Sequence, residues 1–190
     1  YNAGFSNDNY ERCQIIMLSR EITERKEREN KLMFMAYHDS LTNLPNRRYL
    51  NKEFPHLIEK ARARYESIAI VYLDGDNFKE VNDLYGHDVG DEFIRRFSKA
   101  LIKSVSLDDL VVRVGGDEFV LVLTNLSRNE QLQLEQIQAF IERVRNKLYE
   151  GWYIGNHFFQ FLIIQGCHSL KIYFLSFIPL LVYNMGTSIL

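Results

Sequence analysis

The chain has 190 residues, of which 23 are basic and 25 acidic, and its formal net charge is −2. This length suits one domain with a substantial core and a shorter appended segment. The balanced charge gives no indication of a surface that neutralises nucleic-acid phosphates, so no nucleic-acid partner is expected. Two distant cysteines, Cys13 and Cys167, indicate neither a disulfide framework nor a zinc site, which fits a reducing cytoplasmic location.

The N-terminal segment predicts a linker helix that follows the end of another domain. Residues 1–20 hold one strand-like apolar run, residues 13–19, which is too short to fold alone, so we interpret residues 1–20 as the end of an upstream sensor domain. Residues 21–36 combine strong helix formers with opposite charges at helical spacing. Two interpretations of this helix stay open, a solvated connector and a short dimeric coiled coil. The helix has too few apolar heptad positions to establish the coiled coil.

Four further helices are predicted downstream, and one of them begins at residues 77–79, within the nucleotide site described below. The first begins near Asn46 and ends near Arg64, and we interpret Thr42 and Asn46 as capping residues in the break before it. The other two each carry one apolar face, formed by Val89, Phe93, Phe97 and Leu101 and by Leu134, Ile137, Ile141, Val144 and Leu148.

A strand between the first two of these helices leads to a candidate metal site. Residues 67–73 are almost continuously apolar, which is typical of a strand buried on both faces. The strand ends on Asp74, and a carboxylate in that place is a frequent ligand of a divalent cation. Gly75 lets the backbone come close to a ligand. Capping of the next helix is the alternative for Asp74, and it is an equally good interpretation for Asp76.

The residues that follow predict a nucleotide site. The amides of Asn77 and Phe78 and the ammonium group of Lys79 lie where the next helix begins, and such groups attract phosphate. Asn82 and Asp91 frame a polar turn further along. A carboxylate accepts from an N–H edge and an amide offers both a donor and an acceptor, so this pair is suited to recognising a purine.

Residues 111–123 predict a β-hairpin, because a Gly-Gly dipeptide at residues 115–116 separates two β-branched apolar runs. Asp117 and Glu118 then start the return strand. Adjacent strand residues point to opposite faces, so the two carboxylates are expected to have different roles, although a solvated turn is the plainer interpretation. If the hairpin pairs with the strand that ends at Asp74, two carboxylates approach and share divalent ions, as in two-metal nucleotidyl transferases.

Four motifs in this order resemble those of GGDEF-domain diguanylate cyclases. They occupy residues 39–47, 74–79, 82–91 and 115–119. The resemblance implies an α/β (α+β) domain of palm-like type, with a central, mostly antiparallel sheet flanked by helices and preceded by a linker helix. It implies condensation of two GTP molecules into cyclic di-GMP with release of pyrophosphate. Each of two domains then presents one GTP, which implies a homodimer through the catalytic face and the linker helix.

The resemblance also implies roles for individual residues. Asp74, Asp117 and the Gly75 carbonyl are the implied ligands of Mg²⁺ or Mn²⁺, and Asp117 or Glu118 assists deprotonation of the 3′-hydroxyl. The implied substrate-binding residues are Asn77, Phe78 and Lys79 for phosphate, Asn82 and Asp91 for guanine, and Gly115 and Gly116 beside the nucleotide. Arg113 is expected to face phosphate or product. Residues 20–27 resemble the linker that closes PAS sensor domains.

Two stretches depart from the family pattern. Residues 106–109 read Ser-Leu-Asp-Asp where many members carry an Arg-x-x-Asp product-binding motif, so feedback inhibition of high affinity is not expected. Beyond Phe159 the resemblance fades, and Lys171 is the single charged residue after Glu150. Residues 161–166 are the candidate for the family's next strand, but nothing in the sequence resembles the helix that should follow it.

We therefore assign residues 37–158 to a GGDEF domain that is incomplete at its C-terminal end, and residues 159–190 to a divergent apolar tail. Reading-frame loss or a truncated gene is the preferred explanation of the tail. A membrane anchor is the rival, since the uncharged run after Lys171 has about the ~20 residues a span needs, although Pro179 interrupts it. An uncovered apolar sheet face and weak or absent turnover are expected. The alternatives to a cyclase are a non-catalytic GTP-binding or regulatory module and a chain that does not fold stably.

Overall fold

A computed structural model describes residues 7–74, 78–159, 170–175 and 182–184 of the chain. It divides into two compact units, Tyr1–Tyr37 and His38–Leu190. The described residues of the first unit form one helix, α1 (Asn7–Tyr37). Ion pairs at i,i+4 spacing stabilise its exposed surface, with Nε–Oε1 distances of 3.0 Å from Arg20 to Glu24 and from Arg25 to Glu29.

The helix α1 overturns one prediction of the sequence analysis. Residues 13–19 belong to this continuous helix and not to a strand. The error has a physical reason, because a short apolar run fits a helix and a strand equally well, and no turn residue bounds this run on its C-terminal side. The helix predicted for residues 21–36 is confirmed as its C-terminal half.

The second unit is a sheet covered by helices, with a separate small hairpin. Its elements are α2 (Arg47–Arg64), β1 (Ser67–Leu73), α3 (Phe78–Tyr85), α4 (His87–Ser104), β2 (Leu110–Gly115), β3 (Glu118–Leu126), α5 (Glu130–Tyr149), β4 (Trp152–Ile154), β5 (His157–Phe159), β6 (Leu170–Leu175) and β7 (Val182–Asn184). The sheet order is β2-β3-β1-β6-β7, and β4 pairs with β5. All these pairings are antiparallel, so the predicted α+β fold with an antiparallel-rich sheet is confirmed.

Strand β1 is central because its sequence can be buried on both faces. Ala69, Val71 and Leu73 point into the larger core cluster, which α4 and α5 complete. Ile68 points to the opposite face, where a second cluster forms beneath α2. This alternation follows the two-residue period of a strand. The apolar faces predicted for α4 and α5 are also confirmed, with Phe93, Phe97, Leu101, Ile137, Ile141, Val144 and Leu148 all buried.

One of the two predicted helix caps is correct. The Asn46 side chain accepts hydrogen bonds from the backbone N–H groups of Arg48 and Tyr49 and so caps α2, as expected. Thr42 does not cap a helix. Its hydroxyl donates to Asp39 Oδ1 (2.7 Å) and accepts from the Leu44 amide, so it closes the turn before α2 instead.

The C-terminal part of the chain contributes strands to the sheet. Strand β6 pairs with β1 on the side opposite β3, from Ile68 opposite Leu175 to Leu73 opposite Leu170, and β7 pairs with β6. Part of the segment interpreted as a divergent tail therefore lies in the same sheet as the motifs. The candidate strand at residues 161–166 lies outside the described residues. No helix within the described ranges is long and apolar enough to cross a membrane.

Candidate active site

The register of the sheet brings the two predicted carboxylate positions together. Leu73 pairs with Phe119 across β1 and β3, so the next residues outward are Asp74 and Glu118. The hairpin β2–β3 therefore does pair with the strand that ends at Asp74, as the sequence predicted. Asp74 is exposed, whereas Asp117 and Glu118 are half-buried.

The turn of the hairpin is displaced by one residue from the predicted position. Gly115 pairs with Glu118, which leaves Gly116 and Asp117 as the two turn residues. Gly116 has φ of 51°, a left-handed conformation that favours glycine. The displacement arises from an irregularity between Arg113 and Gly115 that shifts the strand register. Asp117 thus lies at the tip of the turn and not in the return strand.

The backbone at this tip is open. A Cβ atom placed on Gly115 or on Gly116 would meet no other atom within 4 Å. At Gly115, where φ is not positive, nothing inside the described structure therefore explains the absence of a side chain. An open backbone next to two carboxylates leaves space for a ligand to approach closely.

Electrostatic repulsion concentrates at the same place. Burial raises the pKa of Asp117, and the carboxylates of Asp74 and Glu118 raise it further, while its own backbone N–H and the charge of Arg113 act in the opposite direction. Glu118 accepts a hydrogen bond from the Tyr72 hydroxyl. Burial and this contact with Glu118 raise the pKa of Tyr72. A cluster of acidic groups that disfavours its own ionisation is an environment that a divalent cation would stabilise.

The donor set is compatible with Mg²⁺ or Mn²⁺, which prefer oxygen ligands. Asp74 and Asp117 supply carboxylates, and the predicted third ligand, the carbonyl of Gly75, lies outside the described residues. Within the described ranges, no group of three or more His, Cys, Asp or Glu side chains is arranged to hold a metal ion. Two carboxylates with a backbone carbonyl and water would still satisfy Mg²⁺, which commonly keeps several water ligands.

Arg113 has a role that the sequence analysis missed. Its side chain is only 10% exposed, and its Nη1 donates to Asp39 Oδ1 at 2.8 Å. Its Nε and Nη2 donate to the Gly116 carbonyl at 2.9 and 2.7 Å. The expectation that Arg113 faces phosphate or product is therefore wrong. The guanidinium instead ties the turn that carries Asp117 to the loop that carries Asp39.

The Asp39 carboxylate is held in its charged form by this arrangement. Burial alone would raise the pKa of Asp39, but hydrogen bonds from Thr42 and Arg113 outweigh burial, so its pKa lies below the usual value. The backbone of Arg113 is tied to the same loop, since its N–H donates to the Pro45 carbonyl at 3.0 Å. The motif at residues 39–47 thus supports the hairpin and contributes to the site indirectly.

The predicted purine-recognition residues lie on α3 and α4. A Cβ atom on Gly90 would lie 1.9 Å from Asn82 Oδ1, so the Asn82 side chain packs directly against the glycine backbone. Asp91 is the next residue and is exposed. The structure therefore packs Asn82 against α4 at the residue that precedes Asp91, and Gly90 is the residue that allows this close approach.

The predicted phosphate-binding residues are only partly described. Phe78 begins α3, and its ring packs against the core with its centroid 6.0 Å from that of Phe93. This packing fixes the first turn of α3, where backbone N–H groups lack helical partners. Lys79 is exposed beside it. Asn77 lies outside the described residues.

The sequence analysis also overlooked the hairpin β4–β5 and the hydrogen bond from Tyr72 to Glu118. The dipeptide Gly155-Asn156 between aromatic residues was a usable turn signal for the hairpin, and Gly155 has φ of 57°. His157 and Phe159 on this hairpin contact the Tyr85 ring at the end of α3, with centroid distances of 4.7 and 5.3 Å. The hairpin therefore supports the turn between α3 and α4.

Comparisons with known proteins agree with the fold and with the motifs. The family described as "Diguanylate cyclase, GGDEF domain" matches residues 36–171, which extends beyond Phe159, where the resemblance was expected to fade. Diguanylate cyclase DosC of Escherichia coli K12 is 40% identical over 139 residues, which cover 73% of this chain and 29% of that protein. Cyclic di-GMP phosphodiesterase PdeR of the same strain is 35% identical over 141 residues, which cover 74% of this chain and 20% of that protein.

Solved structures give the same result. The GGDEF domain of TpbB (also YfiN) from Pseudomonas aeruginosa matches with a TM-score of 0.60 and 27% identity, and the match covers 72% of this chain and 73% of that chain. The chain spans less than a third of the length of the curated relatives named above. Because the family match covers well over half of the chain and the motifs lie in one sheet with the expected register, the chain belongs to the GGDEF domain family.

Proposed function

We propose that the chain is a diguanylate cyclase domain, which condenses two GTP molecules into cyclic di-GMP and pyrophosphate in signal transduction. The observation that carries the proposal is the register of β1 and β3. It sets Asp74, just after the end of β1, beside Asp117 and Glu118 at the start of β3. Paired carboxylates with an open glycine backbone suit a reaction in which charged phosphate oxygens must be held and neutralised. The name of the relative DosC supports the same activity.

A divalent cation is part of this proposal. Asp74, Asp117 and the Gly75 carbonyl would hold Mg²⁺ or Mn²⁺, which would neutralise charge on the phosphates of GTP. Asp117 or Glu118 would accept the proton of the attacking 3′-hydroxyl. The raised pKa of Asp117 makes it a better proton acceptor than an ordinary aspartate when it is not a ligand.

The remaining predicted residues have proposed roles in holding the nucleotide. The amides of Asn77 and Phe78 and the Lys79 side chain would bind phosphate at the start of α3. Asn82 and Asp91 would recognise the guanine edge. Gly115 and Gly116 would border the nucleotide, which their open surroundings allow.

The reaction needs two GTP-loaded sites that face one another, so we include a homodimer through the catalytic face in the proposal. The helix α1 would take part, since several of its large apolar side chains are exposed: Ile22, Leu32, Met33, Phe34 and Met35. A cytoplasmic location suits a GTP-consuming enzyme, and contact of the C-terminal tail with a membrane is the alternative for the full-length protein.

A non-catalytic GTP-binding or regulatory module is the second candidate function. Its support comes from PdeR, because a relative of similar identity carries the name of a phosphodiesterase and not of a cyclase. A domain of this kind would retain the nucleotide contacts without the turnover. The two candidates differ in one observable, which is the formation of product from bound GTP.

The deciding experiment incubates the purified chain with GTP and Mg²⁺ or Mn²⁺ and follows cyclic di-GMP and pyrophosphate by mass spectrometry. We expect formation of cyclic di-GMP that stops when EDTA removes the metal, because the proposed reaction needs a divalent cation on the phosphates of GTP. GTP binding measured by calorimetry without any product would favour the regulatory module. Neither binding nor product from a chain that melts cooperatively would contradict both candidates.

Substituting Gly90 tests the guanine contact. In Gly90→Ala the new methyl group would displace the Asn82 side chain, since its Oδ1 occupies that space. We expect GTP affinity to fall about tenfold, which corresponds to one lost hydrogen bond. The change in stability should be small, because alanine is favoured over glycine in a helix by up to about 1 kcal/mol, which offsets the close contact of 3.3 Å between the new methyl group and Phe78 Cζ.

The matched control for this test is Asn82→Ala. Combining it with Gly90→Ala should weaken GTP binding no further than Asn82→Ala alone, since both changes remove the same contact. Calorimetric titration with GTP gives the affinities, and thermal melts give the stabilities. Independent losses in the double variant would show that Gly90 does not act through Asn82.

A further inference from the structure

Tyr72 contacts the proposed catalytic residue Glu118 but has no role in the proposed reaction as described above. Its hydroxyl donates a hydrogen bond to Glu118 Oε1 at 2.5 Å, the short end of the range for a hydroxyl bonded to a carboxylate. The register of β1 and β3 explains the contact. Tyr72 is opposite Val120, so Glu118, two residues earlier, points to the same face of the sheet. This is the diagonal position that long and aromatic side chains reach across a strand pair.

The ring of Tyr72 is fixed by the core. It is half-buried and packs against the apolar cluster beneath α2, which includes Ile68, Val120 and Val122. Its position is therefore set by packing against apolar side chains of β1 and β3. A hydroxyl on a fixed ring restricts the rotamers of the carboxylate that it binds, so the contact orders Glu118 more than an exposed partner would.

We propose that Tyr72 is a positioning residue that holds the Glu118 carboxylate in place for the cyclase reaction. This inference rests on the proposed function, in which Asp117 or Glu118 assists deprotonation of the 3′-hydroxyl, and it assigns the oriented carboxylate to Glu118. The hydrogen bond occupies Oε1 and leaves Oε2 to accept the proton of the substrate hydroxyl. Tyr72 acts through Glu118 and needs no contact with GTP.

Tyr72→Phe tests the proposal because it removes the hydroxyl and keeps the ring. We expect kcat to fall about tenfold, as for loss of one hydrogen bond to a charged group, with KM for GTP unchanged within about twofold. Combined with Glu118→Gln, Tyr72→Phe should lower kcat no further than Glu118→Gln alone. Tyr153→Phe is the matched control, since Tyr153 is exposed on β4, and its kinetics should equal those of the unsubstituted chain. An unchanged kcat in Tyr72→Phe, or additive losses in the double variant, would overturn the proposal.

A second readout does not depend on turnover. Tyrosine labelled with ¹³C at Cζ gives one NMR signal per ring, and the signal missing from Tyr72→Phe identifies Tyr72. We expect Glu118→Gln to shift the Tyr72 signal and to leave that of Tyr153 unchanged. A Tyr72 signal that does not move refutes the positioning role whether or not the chain is active. A signal that moves in a chain that makes no product supports the contact with Glu118 and rejects the proposed function.

Discussion

Asp117→Asn is expected to abolish cyclic di-GMP formation without lowering the melting temperature. The substitution removes a proposed metal ligand and one of the two carboxylates next to Asp74. A catalytic metal supplies several kcal/mol of charge stabilisation, so we expect at least about a 100-fold loss of kcat. The same change relieves repulsion. Because burial and two neighbouring carboxylates raise the pKa of Asp117, its ionised form destabilises the folded state at neutral pH, and a neutral amide does not.

The measurement is product formation by mass spectrometry beside a thermal melt, with Asp108→Asn as the control. Asp108 is an exposed aspartate that bonds to Lys60 and Asn125 before the start of β2, at the opposite end of the hairpin from the turn. Its substitution should leave turnover unchanged. A strong fall of the melting temperature in Asp117→Asn would mean that the Asp117 carboxylate stabilises the turn. It would contradict the view that repulsion from Asp74 and Glu118 makes this carboxylate destabilising. Full activity in Asp117→Asn would remove it from the proposed metal site.

The sequence predicted those parts of the fold in which local pattern and burial agree. Strand β1 was found within its observed bounds because seven consecutive residues suit a strand that is buried on both faces. The faces of α4 and α5 followed from apolar residues at helical spacing. The meeting of Asp74 with the hairpin was predicted correctly because it needed only one assumption, the pairing of β1 with β3.

The parts that were missed depend on contacts between distant residues or on small shifts of register. Arg113 and Asp39 are separated by 74 positions, and no local pattern indicates their ion pair. The strand irregularity that moves Asp117 into the turn changes the position by a single residue, which periodicity cannot resolve. The apolar composition after Glu150 suggested a detached tail. A strand that pairs with the central strand of a sheet, as β6 pairs with β1, is commonly apolar as well, so composition alone did not separate the two cases.

Arg113→Met is expected to destabilise the domain more than any substitution of an exposed arginine. It leaves the Gly116 carbonyl and the Asp39 carboxylate without the guanidinium that bonds both. Removing one partner of a buried pair costs about 3–5 kcal/mol, and because Asp39 is still 23% exposed we expect the lower end, about 3 kcal/mol. Urea unfolding followed by circular dichroism should give a lower midpoint with an unchanged slope. Arg113→Lys should recover only part of the loss, because an ammonium group does not span both acceptors as a guanidinium does.

Two comparisons make this result specific. Arg96 is 46% exposed and pairs with Glu92 at 2.7 Å, so Arg96→Met should cost less than about 1 kcal/mol. Adding Asp39→Asn to Arg113→Met removes the stranded charge and should restore about 1 kcal/mol or more. Turnover should stay low in the double variant even where stability returns, because the side-chain bonds that hold the Gly116 carbonyl are lost. Only the backbone N–H of residue 113, which donates to the Pro45 carbonyl, would still tie the hairpin to the loop at residues 39–47. Restored turnover together with restored stability would show that the guanidinium contributes to folding and not to the geometry of the site.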